Sequence, residues 1–197
     1  MRIRNHTNPF NYSTRLSPLD LTDIFGNLPQ RLCLEIGFGR GVFLRRFPEI
    51  FPNEHLLAVE LRPKMVSDFI DRHVIPDGVH VMQGNGEIIC EDGIADGALD
   101  RLFVFHPDPW LKGRHQKRRV INPGFVDILT RKLSSSGQLY LSTDVASLWE
   151  DMSDILTSRG FVCDADPLFW KEKYESFWNA FSERDQRSLF SGTWSLT

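Results

Sequence analysis

The feature that most constrains this chain is the regular return of short apolar runs, each followed at once by glycine, proline or an acidic or amide residue. Residues 31–36 (RLCLEI), 55–60 (HLLAVE), 79–82, 99–105 (LDRLFVF) and 138–142 read as strands. Runs that are apolar throughout suit strands buried on both faces, and such strands need helices above and below them. Helical segments fall between them. The clearest is 64–74, entered through Pro63, where Met65, Val66, Phe69, Ile70 and Val74 recur in the 3.6-residue rhythm. Further helices are expected over 41–47, punctuated by Pro48 and Pro52, over 123–133, and from Asp144 to about residue 159, ending at Gly160. A turn is expected over 134–137, and 161–163 and 190–194 as final strands, an antiparallel pair joined through the polar stretch 171–188. Alternation of β and α units implies an α/β fold, doubly wound, with a mostly parallel sheet and helices on both faces.

A length of 197 residues suits one core. The polar lead 1–27 is expected to be loosely ordered, with a single domain over 28–197. With 41% hydrophobic and 25% charged residues, neither disorder nor a fibrous repeat fits. A net charge of -3 argues against a protein that coats nucleic acid nonspecifically, although a local basic patch is compatible with it. Cys33, Cys90 and Cys163 lack CxxC spacing, which removes a disulfide framework and a zinc site and implies reduced thiols, with no metal expected. Without an apolar run of membrane-spanning length or a signal-peptide core, the expectation is a cytoplasmic protein with no membrane partner.

Ligands of open α/β sheets bind beyond the carboxyl ends of the strands. The first such end carries Gly37, Gly39 and Gly41, a G-x-G-x-G loop. The dinucleotide fingerprint would need a further glycine at position 42, which is Val42. Glu60, ending the second strand, is placed to accept hydrogen bonds from ribose hydroxyls. Glu35 beside the glycine loop repels a pyrophosphate but suits an amino group and a sulfonium, so S-adenosylmethionine fits better than NAD. A glycine turn in an unrelated α/β fold is the bland alternative. The fourth strand leads into HPDPWLKGRHQKRR. Pro107 and Pro109 hold Asp108 in an extended loop, and five of the eight residues from Lys112 to Arg119 are Lys or Arg. Cations with Trp110 and His115 among them suit nucleic acid, with Arg114, Lys117, Arg118 and Arg119 as candidate contacts, against the alternative of a solvated face.

LEIGFGRG, VELRP, GNGE, FHPDPWLKGRHQKRR and LSTD together resemble the bacterial tRNA (guanine-N7-)-methyltransferase family over about residues 31–152. The resemblance implies a class I, Rossmann-like methyltransferase fold with seven strands and S-adenosylmethionine as cofactor. It implies methylation of guanine N7 in tRNA, at guanosine 46 of the variable loop. It places Glu35, Glu60, Asn85 and Asp108 at the cofactor, makes Asp108 catalytic, and gives Lys112 and Asp144 to the substrate. The family usually has alanine where Gly86 stands and proline where Leu111 stands. Aligning Arg184 and Arg187 to its arginines puts Asn179 and Ser182 where a tRNA-contacting Thr and Glu are expected.

The chemistry is consistent with these residues. Guanine N7 has a lone pair and no proton, so positioning matters more than a general base. Asp144 or Asp108 could accept from N1–H and N2–H₂ while Lys112 donates to O6. A helix N-cap is the alternative role for Asp144, and an ion pair with nearby arginines for Asp108. Two other functions compete: methylation of a small acidic metabolite, and binding of RNA and cofactor without turnover. The chain is expected to act as a monomer or homodimer.

Overall fold

A computed structural model describes residues 7–164 and 168–196, except for the side chains of residues 179–181 and 183. A 3-10 turn, Pro9–Asn11, precedes α1 (Leu21–Phe25), β1 (Leu32–Ile36), α2 (Val42–Ile50), β2 (His55–Glu60), α3 (Pro63–Arg72) and β3 (Val79–Gln83). There follow α4 (Gly86–Ile88), which runs into a π-helical turn Ile89–Gly93, then β4 (Leu99–Phe105), a 3-10 segment Gly113–Arg118, α5 (Pro123–Lys132) and β5 (Leu133–Thr143). The chain continues with α6 (Ala146–Thr157), β6 (Phe161–Asp164), a π-helical turn Phe169–Lys173, α7 (Phe177–Arg184) and β7 (Phe190–Leu196).

The seven strands form one sheet in the order β3-β2-β1-β4-β5-β7-β6. Strands β1 to β5 pair in parallel, while β7 runs antiparallel to both β5 and β6. The mostly parallel, doubly wound sheet expected from the sequence is therefore present, with one antiparallel strand inserted near its end. Alternate residues of each central strand enter different cores. Leu34, Leu57, Leu102 and Val104 pack with α5 and α6, whereas Cys33, Leu56, Phe103 and Phe105 pack with α2, α3 and Phe169. That two-sided burial is why these strands read as continuous apolar runs.

Several local expectations are corrected. Pro48 lies inside α2 rather than ending it. Its ring sacrifices one backbone hydrogen bond, while Phe43, Leu44 and Phe47 remain fully packed beneath it. Helix α3 stops at Arg72, leaving Val74 91% exposed instead of on the buried face. The turn over 134–137 is an irregularity within β5: the register jumps from Leu133 opposite Leu99 to Gln138 opposite Arg101, and Ser134 Oγ donates to Asp100 Oδ1 at 3.0 Å. The two final strands do pair antiparallel, but α7 stands between them. Asn85 caps a short helix not expected from the sequence, its Oδ1 accepting from the Glu87 N–H.

The described part of the lead is packed rather than loose. Leu16, Leu19, Ile24 and Phe25 lie on the core, the Leu16 and Leu19 N–H groups bond to Asp92 Oδ2 and the Gly93 carbonyl, and Arg15 pairs with Glu91 and Asp92. No helix among the described residues is long and apolar enough to cross a membrane.

Gly41 carries the sharpest steric constraint in the sheet-to-helix turn. Its φ is +67°, and a Cβ there would lie 2.2 Å from the Phe69 ring. Gly97, at φ +72°, has nothing within 4 Å of the same position. Gly97→Ala should cost about 1–2 kcal/mol for its backbone alone, and Gly41→Ala about 1–3 kcal/mol more through overpacking. Thermal melting of the two variants checks this; equal losses would mean that Phe69 yields freely.

Candidate active site

The carboxyl ends of β1 to β4 converge on a cavity of about 370 Å³, within the usual size of small-molecule sites. Glu35, Gly37, Gly39, Glu60, Asn85 and Asp108 all line it. These six residues, singled out by sequence alone, therefore meet in one place. Gly41 sits at the N-cap of α2, just behind the loop.

Glu35 is buried at the end of β1, and its Oε2 has no hydrogen-bond partner among the described residues. Burial, reinforced by the neighbouring Glu60 carboxylate, raises its pKa to about 8. Glu60 is equally buried but fully engaged. Its Oε2 accepts from the Gly39 N–H at 3.1 Å and Arg62 Nη2 at 2.9 Å, and its Oε1 accepts from the Arg62 N–H at 3.0 Å and Nε at 2.9 Å. A carboxylate offers about four lone-pair sites, so a ribose at Glu60 must displace or share contacts now made by Arg62. Sequence reasoning missed Arg62, although it stands two residues after Glu60 in VELRP. Gly86, where alanine was the family expectation, lies against Ile36: a Cβ would sit 2.7 Å from that side chain, so glycine here matches a bulky β1 neighbour.

The Asp108 loop is held by more than its prolines. His106 and Trp110, at either end of it, have φ of +48° and +41°, a region that bulky residues seldom occupy. The His106 N–H is tied to the Ser142 carbonyl at 2.8 Å. Arg119 clamps the other end, with Nε to the Pro109 carbonyl at 2.9 Å and Nη1 to Asp151 Oδ2 at 2.8 Å. Arg119 was expected to face RNA; it is buried instead, with Nε holding the loop and Nη1 tied to α6. Arg118 is half-buried, with its guanidinium 5.0 Å from the Trp110 ring centre. Lys112, Arg114 and Lys117 are exposed along the 3-10 segment, and of these three only Lys117 reaches the cavity wall.

Asp144 follows β5 but lies outside the cavity lining, and Val145, not Asp144, is the α6 N-cap. Its Oδ2 accepts from Ser182 Oγ at 3.1 Å and Arg187 Nη1 at 3.0 Å, and its Oδ1 is 3.6 Å from His106 Nδ1. His106 beside it, then Arg187 and Ser182, hold the Asp144 carboxyl well below the usual carboxylate range. Ser182 thus bonds to Asp144, and a glutamate at this fully buried position would set two carboxylates together. The Asn179 side chain lies outside the described residues. Two walls of the cavity were not anticipated: Thr7, Pro9 and Phe10 from the lead, and Ser176, Phe177 and Trp178 from the start of α7. Arg40, 4.3 Å from the Phe177 ring centre, ties the second wall to the glycine loop.

A 3-2-1-4-5-7-6 sheet with a glycine loop after β1 and a carboxylate ending β2 defines the class I S-adenosylmethionine-dependent methyltransferase architecture. Solved structures agree on the fold: a structure titled "Structure of an antibiotic related Methyltransferase" superposes with a TM-score of 0.59 at 16% identity, covering 92% of this chain and 95% of that one. The aminoglycoside resistance methyltransferase NpmB1 gives 0.54 at 14% identity, covering 85% and 88%. In sequence, a family described as "Putative methyltransferase" matches residues 29–193. The tRNA (guanine-N(7)-)-methyltransferase of Xanthomonas oryzae pv. oryzae is 36% identical over 186 residues, 91% of this chain and 72% of that protein. The enzyme of the same name from Haemophilus influenzae is 36% identical over 72% of this chain and 58% of its own length. The chain belongs to the tRNA (guanine-N7-)-methyltransferase family.

The raised Glu35 pKa gives a signed prediction. Folding penalises the ionised form, so its contribution to stability is full below about pH 4.5 and is lost as pH rises through about 8. Glu35→Gln should therefore raise the melting temperature of the ligand-free protein at pH 8, with the gain vanishing by pH 4.5. The same variant should bind S-adenosylhomocysteine at least about tenfold more weakly, the loss of a charge-assisted hydrogen bond. Lower stability at pH 8 would show that Glu35 is already paired.

Proposed function

We propose that this chain transfers the methyl group of S-adenosylmethionine to N7 of a guanine in tRNA, with guanosine 46 of the variable loop as the target. The observation that carries the reading is the strained, doubly clamped Asp108 loop, which joins the cofactor cavity directly to the exposed cations of the 3-10 segment.

The residues fit the cofactor. The Glu35 Oε2, without a partner among the described residues, matches an α-amino group, Glu60 with Arg62 matches ribose hydroxyls, and Asn85 stands at the nucleoside end. Bound there, the cofactor supplies an electrophilic methyl on a sulfonium. The protein's own task is alignment, which can contribute about 7–11 kcal/mol, and no group need remove a proton from N7. Asp108 lines the cavity, so it is the carboxylate best placed for the guanine N1–H and N2–H₂ edge. Asp144 would reach substrate only by releasing Arg187 and Ser182, and serves better as the anchor that holds α7 against the end of β5. Lys112, Arg114 and Lys117 supply phosphate contacts.

Unmodified tRNA incubated with labelled cofactor, then digested and analysed by mass spectrometry, should yield 7-methylguanosine at position 46. Label in another base or position would overturn the assignment. Asp108→Asn keeps the shape and removes the charge, and kcat should fall at least about tenfold, or 1.4 kcal/mol of transition-state stabilisation. A normal kcat with raised KM would make Asp108 a binding group only. Replacing Lys112, Arg114 and Lys117 together by alanine should reduce the salt dependence of tRNA binding by a little under one unit for each phosphate that is no longer neutralised, whereas Arg119→Ala should lower the melting temperature. An unchanged salt slope would place the RNA on another surface.

A further inference from the structure

The lead segment contributes a wall to the cavity that a polar stretch gives no reason to expect. Its 3-10 turn is built locally: Asn8 Oδ1 accepts from the Phe10 N–H at 3.3 Å, and the Tyr12 N–H closes on the Pro9 carbonyl at 3.0 Å. The turn is then tied to the nucleoside end of the cavity, where Asn85 Nδ2 donates to the Pro9 carbonyl at 3.4 Å. Downstream, Arg15, Leu16 and Leu19 fasten the same segment to the π-helical turn that continues from Asn85. Gly93 makes room for that docking, since a Cβ there would lie 2.9 Å from Leu19. The segment therefore spans the carboxyl end of β3 as a strap fixed at both ends.

On this strap Phe10 is a large aromatic that is 50% exposed, yet it lines the cavity. Lys117 Nζ stands 5.7 Å from its ring centre, a cation–π distance. A half-exposed ring at the wall of the cavity, backed by a fixed turn, offers an aromatic surface to whatever binds there. Along the sheet edge the cavity runs from the glycine loop after β1, past Glu60 after β2, to Asn85 after β3, so the base of an adenosine ligand falls at the Asn85 end, beside Phe10. We propose that Phe10 closes the adenine subsite by packing against the base of S-adenosylmethionine, with Lys117 holding the ring from the RNA-facing side. This rests on the cofactor reading above and adds a binding residue to it. Because Lys117 belongs to the basic segment, the strap joins the cofactor lid to the nucleic-acid surface.

The alternative occupant of the same ring is a base of the RNA, and ligand binding separates the two. The full chain is titrated calorimetrically with S-adenosylhomocysteine and with methylthioadenosine, which keeps the nucleoside and lacks the amino-acid end. Base–aromatic stacking measured by alanine substitution is worth about fivefold to over a hundredfold in affinity, so Phe10→Ala should weaken both ligands by roughly tenfold and by the same factor. Phe10→Tyr, which keeps the face, should stay within twofold of the parent, and Phe10→Leu should fall between. Phe10 is exposed, so melting temperatures should match across the series, which keeps lost folding apart from lost binding. Unchanged affinity for both ligands in Phe10→Ala, with a raised KM for tRNA, would overturn the proposal in favour of an RNA-stacking role. Loss confined to S-adenosylhomocysteine would overturn it too, by placing Phe10 at the amino-acid end. Failure of the parent protein to bind either ligand would instead refute the cofactor reading.

Discussion

Two buried carboxylates at adjacent strand ends set the terms for everything around them. Parallel pairing places β1 and β2 side by side with the same polarity, so Glu35 and Glu60 approach each other in a low-dielectric site where both cannot be charged alone. The fold resolves this unequally. Glu60 takes Arg62 and a loop N–H, whereas Glu35 Oε2 receives no compensating donor among the described residues and the carboxyl keeps its proton more readily. A site with one satisfied and one unsatisfied carboxylate favours a ligand with hydroxyls at one end and a positive charge at the other. The ligand-free protein bears that cost in advance.

The second organising device is the Asp108 loop. Two residues in left-handed backbone conformations, a backbone bond to β5 and the Arg119 clamp leave its carboxylate little freedom. Orientation is therefore fixed by the ligand-free fold and does not have to be assembled when substrate arrives. Arg119 also reaches Asp151 on α6, so the loop is braced by the helix that follows β5, on the side of the sheet away from the glycine loop. Cation and clamp sit next to each other in one KRR run because the 3-10 segment ends there: Lys117 stays exposed on it, Arg118 lies half-buried against Trp110, and Arg119, its C-cap, turns inward.

The sheet and the principal cavity residues were legible because their signals are local. Buried parallel strands read as apolar runs, and a ligand loop needs glycine at positive φ, so RLCLEI followed by alternating glycines admits few folds. What escaped was set by tertiary contacts. Whether an arginine in a basic run is a solvent cation or a buried clamp depends on an acceptor thirty-two residues away, Asp151 for Arg119. The order in lead 7–27 depends on Asp92 and Gly93, some seventy-five residues distant, and no property of a polar segment announces it. Arg62 could have been found, since an arginine beside a buried glutamate is a common way to satisfy it. The walls from Phe10 and Phe177 could not, because nothing local to either segment says that it folds back over the carboxyl ends of β1 to β4.

The placement of β7 bears on how the chain assembles. Among the described strands β6 pairs with β7 alone, and β7 follows it in sequence by an entire helix, so β6 has no sheet to join until the later strand has inserted beside β5. Until then the edge of β5 is also open. Open edges recruit other chains, and very short strands and strands that carry a charge resist this best. β6 has four residues, three of them solvent-facing, and one is the charged Asp164. The waiting strand is thus the one least able to template an intermolecular sheet, and the longer β5 edge is covered as soon as β7 arrives.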